Sequence, residues 1–376
     1  MDGTMDRGVR TAMRAVVQHR YGGPDVLGIE VVGVPQPKPG ELLVAVHAAD
    51  VASGDVRVMR GEPKLMRLFF GLRRPRVPTV GRDIAGTVAA VGPGVTRFAV
   101  GDRVCGESAQ GGWAEFAVLS EEFAVRVPEG MGFADASTLP VSAGTALQGL
   151  RLAGIAPGHP GDERDERDER DQRDAGDERD AGDRPDATAT ATGARGGGRP
   201  HVLVIGASGG VGSYAVQLAV EAGCEVTGVC SASKSAHVRA QGAARVLDRA
   251  GDWAAGEPDG AYDAVFDLAG AQSLGELARL VRRGGTVVLS AGGGDGLLGP
   301  IPRLIGALVR SPFSHARLAP LAAVRNADDL AALVGLLADG RLHAPVERVV
   351  PLADAAAAVR DHLAGRVAGK LVLAVA

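Results

Sequence analysis

The chain has 376 residues, enough for two domains, and its 45 acidic and 41 basic residues leave a net charge of only −4. This balance gives no indication of a nucleic acid or an anionic membrane surface as a partner. The three cysteines are widely spaced, and the sequence shows neither an apolar run long enough for a membrane span nor an apolar leader. We therefore expect a cytoplasmic protein without a disulfide framework or a membrane partner.

The first third of the chain has the pattern of a β-rich domain. Residues 1–12 are predicted to be an N-terminal extension, because strand-like patterning begins near Met13. Short apolar runs then alternate with glycine and proline, which is typical of antiparallel strands. The predicted strands are 14–18, 28–34, 41–48, 87–91, one that opens at 101–104, 112–119 and 123–127. From Phe133 the pattern changes, and helices are predicted at 135–139 and 145–150.

A segment of different composition follows at 160–199. Between residues 162 and 186 it contains 13 acidic residues and six arginines, in DER repeats, and almost no apolar side chain. Such a segment has too little to bury to offset the entropy of ordering, so we predict a disordered surface insert. A charged helix stabilised by i,i+4 pairs is the alternative.

The stretch His201–Ser231 has the pattern of a βαβ unit with a glycine-rich first turn. The apolar run 201–205 predicts a buried parallel strand, and a helical pattern ends at Gly223 before a second strand at 224–229. The turn between the first strand and the helix reads Ala207-x-Gly209-x-x-Gly212. Glycines in this position let the backbone approach a pyrophosphate, whose charge the N–H groups at the helix start can hold. We predict nucleotide binding; the alternative is an α/β layer whose glycines only make tight turns.

The end of the second strand favours NADP over NAD. NAD-binding units usually place an acidic residue there to bond the ribose hydroxyls, but residues 228–234 contain none. Ser231, Ser233 and Lys234 could instead bond the 2′-phosphate of NADP(H). The alternative for Lys234 is an ordinary solvated lysine at the start of the next helix.

The alternation of helix and strand continues to the C-terminus. Predicted helices are 234–241, 273–281, 328–339 and 352–363. Predicted strands are 245–247, 262–268, 285–289, 346–350 and 369–374, and the apolar stretch 304–309 is left unassigned. We expect a first domain at 13–135, a nucleotide-binding domain at 136–310 and a return to the first domain at 311–376.

Several motifs together resemble the medium-chain dehydrogenase/reductase superfamily, and most closely its zinc-free quinone oxidoreductase-like branch. They are VGRDIAGTV at 80–88, VGPGV at 91–95, FAVGDRV at 98–104, GGWAEF at 111–116, LP and GTAL between 139 and 147, the turn at 206–212, GGT at 284–286 and GKLVL at 369–373. The resemblance implies an α/β fold, with a GroES-like β-rich domain plus a Rossmann doubly wound parallel-sheet domain and a cleft between them.

The resemblance also implies a set of site residues. Thr145 would bond the nicotinamide end of the cofactor, and Lys370 would close over it from the other domain, unless Lys370 forms only a surface salt bridge. The remaining cofactor-binding candidates are Ser208, Gly209, Gly210 and Val211 at the pyrophosphate, Ser231 and Lys234 at the 2′-phosphate, and Gly270 and Ser290 beyond strand ends. Asp55 is the catalytic candidate, expected to support the cleft rather than transfer protons. A homodimer through the sheet edges of the nucleotide domains is implied as well.

The sequence argues against a metal. Zinc-dependent relatives carry a cysteine in the stretch that here reads 48–55 and a His-Glu pair that here reads Arg82-Asp83. A catalytic zinc needs three ligands, and only Asp83 remains. A structural four-cysteine lobe is also not expected, because Cys105 is the only cysteine in that region. The branch itself usually has Asn-Pro where this chain has Ala52-Ser53.

The leading hypothesis is an NADPH-dependent oxidoreductase that transfers hydride to a quinone or an α,β-unsaturated carbonyl without a metal. One alternative is a zinc-free NAD(P)-dependent alcohol or aldehyde dehydrogenase, and another is a non-catalytic NADPH-binding sensor or interaction protein. A short-chain reductase is excluded because its Tyr-x-x-x-Lys pair is missing: none of Tyr21, Tyr214 and Tyr262 has a lysine four residues later.

Overall fold

The computed structural model describes residues 11–155, 198–290 and 298–375. Residues 1–10 of the predicted extension and residues 160–197 of the predicted insert lie outside these ranges. The described chain is a mixed α/β fold, with a β-rich domain and a domain built on a parallel sheet. No helix within the described ranges is long and apolar enough to cross a membrane.

The β-rich domain is built from short antiparallel strands, as the glycine and proline spacing predicts. Its strands in the first part of the chain are β1 (Ala12–Val17), β2 (Gly28–Gly33), β3 (Glu41–Asp50), β4 (Asp83–Val91), β5 (Arg103–Glu107), β6 (Phe116–Ser120) and β7 (Val125–Arg126). β1 and β2 form a hairpin, whereas the other five join a seven-stranded sheet. The helices of this part are α1 (Ser53–Arg60), α2 (Arg67–Phe70), α3 (Phe133–Ala136) and α4 (Gly144–Leu152), with a π-helical turn at Leu139–Ala143 before α4.

The second domain alternates strands and helices. They are β8 (His201–Ile205), α5 (Gly210–Glu221), β9 (Glu225–Cys230), α6 (Ser235–Ala240), β10 (Arg245–Asp248), β11 (Tyr262–Asp267), α7 (Leu274–Leu280), β12 (Val281–Leu289), α8 (Ile301–Arg310) and β13 (Arg317–Pro320). The six strands form one parallel sheet in the order β10-β9-β8-β11-β12-β13. The strand order therefore reverses between β8 and β11, and ligands of doubly wound folds bind at such a switch point.

The final part of the chain returns to the first sheet. Its elements are α9 (Ala327–Ala338), β14 (Val346–Pro351), α10 (Ala355–Leu363) and β15 (Lys370–Ala374). β15 pairs antiparallel with β3 and parallel with β14, so the C-terminal strands complete the seven-stranded sheet.

The predicted return at residue 311 is too early. Strand β13 pairs in parallel with β12, where Leu318 lies opposite Val287, so residues 317–320 still belong to the parallel sheet. The sequence hides this strand because it has only four residues, opens on an arginine and closes on a proline. The unassigned apolar stretch before it forms helix α8.

A shared core joins the two domains. Ala85 and Cys105 of the β-rich sheet lie in the same buried cluster as Tyr214 of α5 and Phe266 of β11. Each large apolar side chain that is fully buried contributes about 1.5–3 kcal/mol to stability. The domains are therefore packed against each other at the base of the cleft, which fixes the relative positions of the groups described next.

Candidate cofactor site and active site

The turn between β8 and α5 has the geometry of a phosphate cradle. Gly206 has a φ of +87°, a conformation that favours glycine. At Gly212 an added Cβ would overlap the carbonyl oxygen of Gly206. At Gly209 an added Cβ would meet only that same oxygen, 3.5 Å away, so the outer side of the turn is open. The first N–H groups of α5 have no partner within the helix and face this space, where a pyrophosphate would be held.

The β-rich domain meets this turn through the start of β15. The N–H of Gly369 donates to the carbonyl oxygen of Ser208 at 2.8 Å, and Gly209 forms a parallel bridge with Gly369. The side chain of Lys370 packs directly against Gly210, so that a Cβ added there would lie 3.1 Å from its Nζ. The structure thus brings together the predicted glycine turn and the predicted lysine, which are 160 positions apart in the chain.

Lys370 is held by a buried ion pair. Only 3 % of Lys370 is exposed; its Nζ pairs with Asp50 of β3 and donates to Ser142 Oγ at 2.8 Å. The alternative of a surface salt bridge is therefore wrong. Ser142 lies in the π-helical turn shortly before Thr145, which is half-buried in the first turn of α4. Lys370 therefore contacts the turn that leads into the helix of Thr145.

Two histidines complete the surroundings of the turn, and the sequence analysis missed both. His362 of α10 hydrogen bonds to Ser53 Oγ at 3.0 Å, and burial, with Lys370 and Lys234 nearby, lowers its pKa to about 4. His237 of α6 contacts Ser213 Oγ at 2.9 Å, and burial lowers its pKa as well. Both rings are therefore neutral at pH 7, and the positive charge near the turn comes from the lysines.

The end of β9 carries the groups that the sequence assigns to a 2′-phosphate. Ser231 and Ser233 lie with their hydroxyl oxygens 3.4 Å apart, and Lys234 donates to the carbonyl oxygen of Val367. Two arginines that the sequence analysis did not select lie at the same place. The N–H of Arg249 donates to the carbonyl oxygen of Cys230 at 2.8 Å, and the charges of Lys234, Arg249 and Arg239 oppose the rise that burial and Asp248 cause in the pKa of the Cys230 thiol.

The predicted residues beyond β11 and β12 lie at the same edge of the sheet. Asp267 Oδ1 accepts from the N–H of Gly270 at 2.8 Å, and its carbonyl oxygen accepts from the N–H of Ser290 at 3.1 Å. Arg303 of α8 pairs with the Asp267 carboxylate and donates to the carbonyl oxygen of Gly270 at 3.2 Å. These bonds hold the loop that follows β11 against the switch point. The predicted glycine run 292–294 lies outside the described residues.

Three buried carboxyl groups converge below the cleft from β3, α1 and β4. Burial raises the pKa of Asp50 to about 6, opposed by the charge of Lys370. Asp55 accepts from the N–H of Ala52 at 3.2 Å and from Arg82 Nε at 3.3 Å, and burial also raises its pKa. Asp83 Oδ2 accepts from the N–H of Val141 at 3.2 Å, whereas its Oδ1 has no partner among the described residues. Asp55 is thus held at the start of α1 by Arg82.

Among these acids, Asp83 has the pKa that is raised furthest. The sequence analysis did not select Asp83 as a titrating group. Burial, together with the carboxylates of Asp50, Asp55 and Glu107, raises its pKa well above the ordinary range. The unpaired Oδ1 and the raised pKa both favour the protonated form of Asp83. Only the tertiary structure brings these acids together.

The residues at the zinc positions of related enzymes do not form a zinc donor set. Ala52 has no ligating atom, and the Arg82 guanidinium pairs with Asp55 and, at 2.9 Å, with Glu107. No group of three His, Cys, Asp or Glu side chains within the described ranges is close enough to hold a metal ion. The donor chemistry at this position therefore does not fit a catalytic zinc.

Comparison with known proteins places these features in a family. Residues 38–129 match the model of the alcohol dehydrogenase GroES-like domain, and residues 241–373 match that of a zinc-binding dehydrogenase domain. The chain is 31 % identical over 370 residues to the chloroplast envelope quinone oxidoreductase homolog of Arabidopsis thaliana, covering 96 % of this chain and 98 % of the relative.

Solved structures share the fold over the whole chain. The quinone oxidoreductase from Coxiella burnetii superposes with a TM-score of 0.76 at 23 % identity, covering 97 % of this chain and 100 % of that one. The CurK enoyl reductase superposes with a TM-score of 0.72 at 23 % identity, covering 97 % and 99 %. At these identities the likeness concerns the fold, which is a GroES-like domain with a Rossmann-like domain, as expected.

Proposed function

Because the chain belongs to the medium-chain dehydrogenase/reductase superfamily, in its quinone oxidoreductase-like branch, we propose that this oxidoreductase uses NADPH to reduce quinones or α,β-unsaturated carbonyls without a metal. The contact of Gly369 and Lys370 with the turn at Gly209 and Gly210 carries the proposal. It places a cation from one domain against the phosphate cradle of the other, at the switch point of the sheet.

The chain binds and orients, whereas a nicotinamide cofactor would supply the hydride. The amides of Gly210 and Val211 and the Lys370 ammonium would hold the pyrophosphate. Thr145 would position the nicotinamide end, and the loop at Gly270, fixed by Asp267 and Arg303, would form the wall beside it. A cofactor and an acceptor held together between the two domains would be oriented for transfer.

Conjugated acceptors suit this site better than simple ketones or aldehydes. A quinone takes up the hydride and one proton to give a hydroquinone, and an enone takes them up to give a saturated carbonyl. In both cases conjugation spreads the developing charge, so a Lewis acid is less needed. The positions that hold zinc in related enzymes carry Ala52 and Arg82, which cannot bind a metal ion as a Lewis acid.

The cations at the end of β9 support NADPH over NADH. The three cations Lys234, Arg239 and Arg249 outnumber the two carboxylates, Asp248 and Glu347, that act on this part of the molecule. A 2′-phosphate would gain charge-assisted hydrogen bonds there. We also propose that the protein is a homodimer and works in a reducing compartment such as the cytoplasm, since its three cysteines are buried and free.

The function is tested by cofactor oxidation with a panel of a quinone, an enone and an aldehyde, each with NADPH and with NADH. We expect turnover of the first two acceptors with NADPH. The double variant Lys234→Ala/Arg249→Ala should raise the KM for NADPH about tenfold or more, as expected for lost charge-assisted bonds, and leave that for NADH nearly unchanged. The matched control Arg283→Ala, on the opposite edge of the sheet, should change neither value.

Each other outcome contradicts the proposal in a different way. Turnover of the aldehyde alone would favour an alcohol or aldehyde dehydrogenase. Tight NADPH binding by calorimetry without turnover of any acceptor would favour the cofactor-binding sensor, to which the replacement of Asn-Pro by Ala52-Ser53 gives some support. Equal use of NADH and NADPH would contradict the assignment of the 2′-phosphate site.

A further inference from the structure

A basic and apolar segment begins in the second half of helix α1, and the proposed reaction does not use it. We call residues 57–77 the surface segment. Seven of the 20 residues at 57–76 are lysine or arginine, and Glu62 is the only acid among them. The same segment contains the exposed large apolar residues Leu65, Met66, Leu68, Phe69, Leu72 and Val77.

The apolar side chains form one face. A short 3₁₀ turn at Lys64–Met66 continues directly into α2, so the two make about two helical turns. Leu65, Leu68 and Phe69 are spaced i, i+3 and i+4 and therefore lie on the same side of these turns. Phe69 is 70 % exposed and Leu72, just past the helix, is 67 % exposed. Apolar residues of this size are normally exposed singly, and a continuous group marks an interaction surface.

The segment is anchored to the protein and therefore presents this face in a fixed orientation. Tyr21 OH donates to the carbonyl oxygen of Gly71 at 2.7 Å. The Arg67 guanidinium stacks 4.5 Å from the centre of the Tyr21 ring and donates to the carbonyl oxygen of Gly61 at 3.0 Å. These contacts use the polar and aromatic groups on the inner side and leave the apolar face outward.

Four cations border the apolar face without a counter-charge. Lys64, Arg73, Arg74 and Arg76 are exposed, and the structure shows no ion pair between any of them and a carboxylate of the described residues. Glu62, the one acid of the segment, pairs with Arg60 at 3.3 Å. The surface segment therefore combines a concentrated positive charge with exposed leucine and phenylalanine.

We propose that the surface segment binds the face of an anionic lipid bilayer. Basic side chains around large apolar ones are the composition of helices that lie in a membrane interface, where cations meet the headgroups and apolar side chains enter the acyl boundary. A nucleic acid would use the charge but not the leucines, and an apolar protein groove would not use the arginines. A bilayer with anionic headgroups satisfies both.

The low net charge of the chain does not contradict this proposal. Residues 162–186 contain 13 acids and six arginines, so much of the negative charge of the sequence is concentrated there. The expectation that no anionic membrane is a partner rests on the sum over the whole chain. The local charge of residues 57–77 is strongly positive, and electrostatic attraction acts over about 10 Å or less at physiological salt.

The proposal stands without the proposed function and also adds to it. Helix α1 connects Asp55, at the base of the cleft, directly to the surface segment. If the protein reduces quinones, docking here would bring the mouth of the cleft towards the layer in which apolar acceptors dissolve. That consequence rests on the proposed function, whereas lipid binding itself does not.

The test is co-sedimentation of the full chain with vesicles, without cofactor or acceptor. We expect binding to phosphatidylcholine vesicles that contain phosphatidylglycerol, weakening as salt is raised, and little binding to pure phosphatidylcholine. Each basic residue near an anionic surface strengthens binding about fivefold, so Arg73→Gln/Arg74→Gln should weaken it roughly thirtyfold. Phe69→Ser/Leu72→Ser should also weaken it, by removing the apolar contact.

Matched controls lie elsewhere on the surface. Arg283→Gln/Arg310→Gln removes two exposed arginines far from the segment, and Val100→Ser removes an exposed apolar residue; both should bind as the unchanged protein does. Circular dichroism and thermal unfolding show whether every variant is folded. Absence of binding, equal binding to both kinds of vesicle, or equal loss in the controls would overturn the proposal. The proposal would also be overturned if the parent protein did not bind vesicles and Phe69→Ser/Leu72→Ser changed the oligomeric state. The segment would then be a protein interface.

Discussion

At the scale of single residues, Asp83 shows how much the surroundings decide. It lies at the second position of the pair that is His-Glu in zinc-dependent relatives, and here it is fully buried with one oxygen unpaired. Burial and three neighbouring carboxylates raise its pKa well above the ordinary value of 3.8. A group with a raised native pKa contributes its full stability below the ordinary pKa and loses it as the pH rises towards the native value.

We expect Asp83→Asn to flatten the pH dependence of stability. In the unchanged protein the free energy of unfolding should fall as the pH rises above the ordinary carboxyl pKa of 3.8 towards the raised native pKa, by about 1.4 kcal/mol for each unit of pH over which only the native state holds the Asp83 proton. The amide of asparagine does not ionise and is similar in shape to the protonated acid, so the variant should lose less over this range. Thermal or urea unfolding at several pH values measures the slope.

Asp102→Asn is the contrasting control for this measurement. Asp102 is an exposed turn residue whose pKa is lowered by a hydrogen bond from the N–H of Ala99, with Arg126 nearby. Its contribution is present above its ordinary pKa and is lost only in acid. The control should therefore be less stable at neutral pH, and its slope above the ordinary carboxyl pKa should be unchanged. An Asp83→Asn slope equal to that of the unchanged protein would contradict the assignment.

At the scale of secondary-structure elements, the glycines in the turn between β8 and α5 have two different roles, one in packing and one in proposed binding. Gly212 is required by packing, because a Cβ there would overlap the carbonyl oxygen of Gly206. Gly209 has an ordinary φ of −85° and open space beside it. The sequence motif contains both glycines and does not distinguish their roles; the packing around each does.

Gly209→Ala should leave the fold intact and weaken cofactor binding. The protein has room for the added methyl group, but the methyl group would occupy the space in which a pyrophosphate approaches the backbone. We expect the Kd for NADPH, measured by calorimetry, to rise at least tenfold, with a change in melting temperature of only a few degrees.

Gly335→Ala is the matched control, because Gly335 lies inside α9 and an added Cβ there meets no atom within 4 Å. Alanine is the better helix former by about 0.5–1 kcal/mol, so this variant should be slightly more stable and bind NADPH normally. Unchanged NADPH binding by Gly209→Ala would place the pyrophosphate elsewhere.

At the scale of the whole molecule, the parallel sheet ends at an open edge. β13 is the last strand of the six, and no described strand pairs with its outer side. Helix α8 packs beside it and exposes Leu308 and Val309, and Phe313, which follows, is 90 % exposed. An open edge next to exposed apolar side chains favours pairing with a second copy of the chain.

We expect the chain to be a dimer that Phe313→Asp converts to a monomer. A carboxylate at the centre of an apolar contact would have to be desolvated, which disfavours association. Light scattering after size exclusion should change from the mass of two 38.3 kDa chains to that of one. Phe69→Ser, in the surface segment, should remain dimeric. A monomeric parent protein, or a dimer that Phe313→Asp does not affect, would place the interface elsewhere or exclude it.

Sequence patterns predict the strands of the β-rich part and the later alternation of strands and helices, the glycine turn after β8, the lack of a zinc donor set and the absence of an acid at the end of β9, but not the helices α1 and α2. These are local properties, since periodicity, turn chemistry and residue type act within a few neighbouring residues. The sequence did not reveal the edge strand β13, which is too short and polar to show a periodicity.

Only the tertiary structure decided how distant groups meet. The ion pair of Lys370 with Asp50, the shared burial of Asp50, Asp55 and Asp83, and the exposure of the apolar face around Phe69 all depend on contacts between elements far apart in the chain. Burial and charge pairing are sums over three-dimensional neighbours, and no local pattern in the sequence contains them.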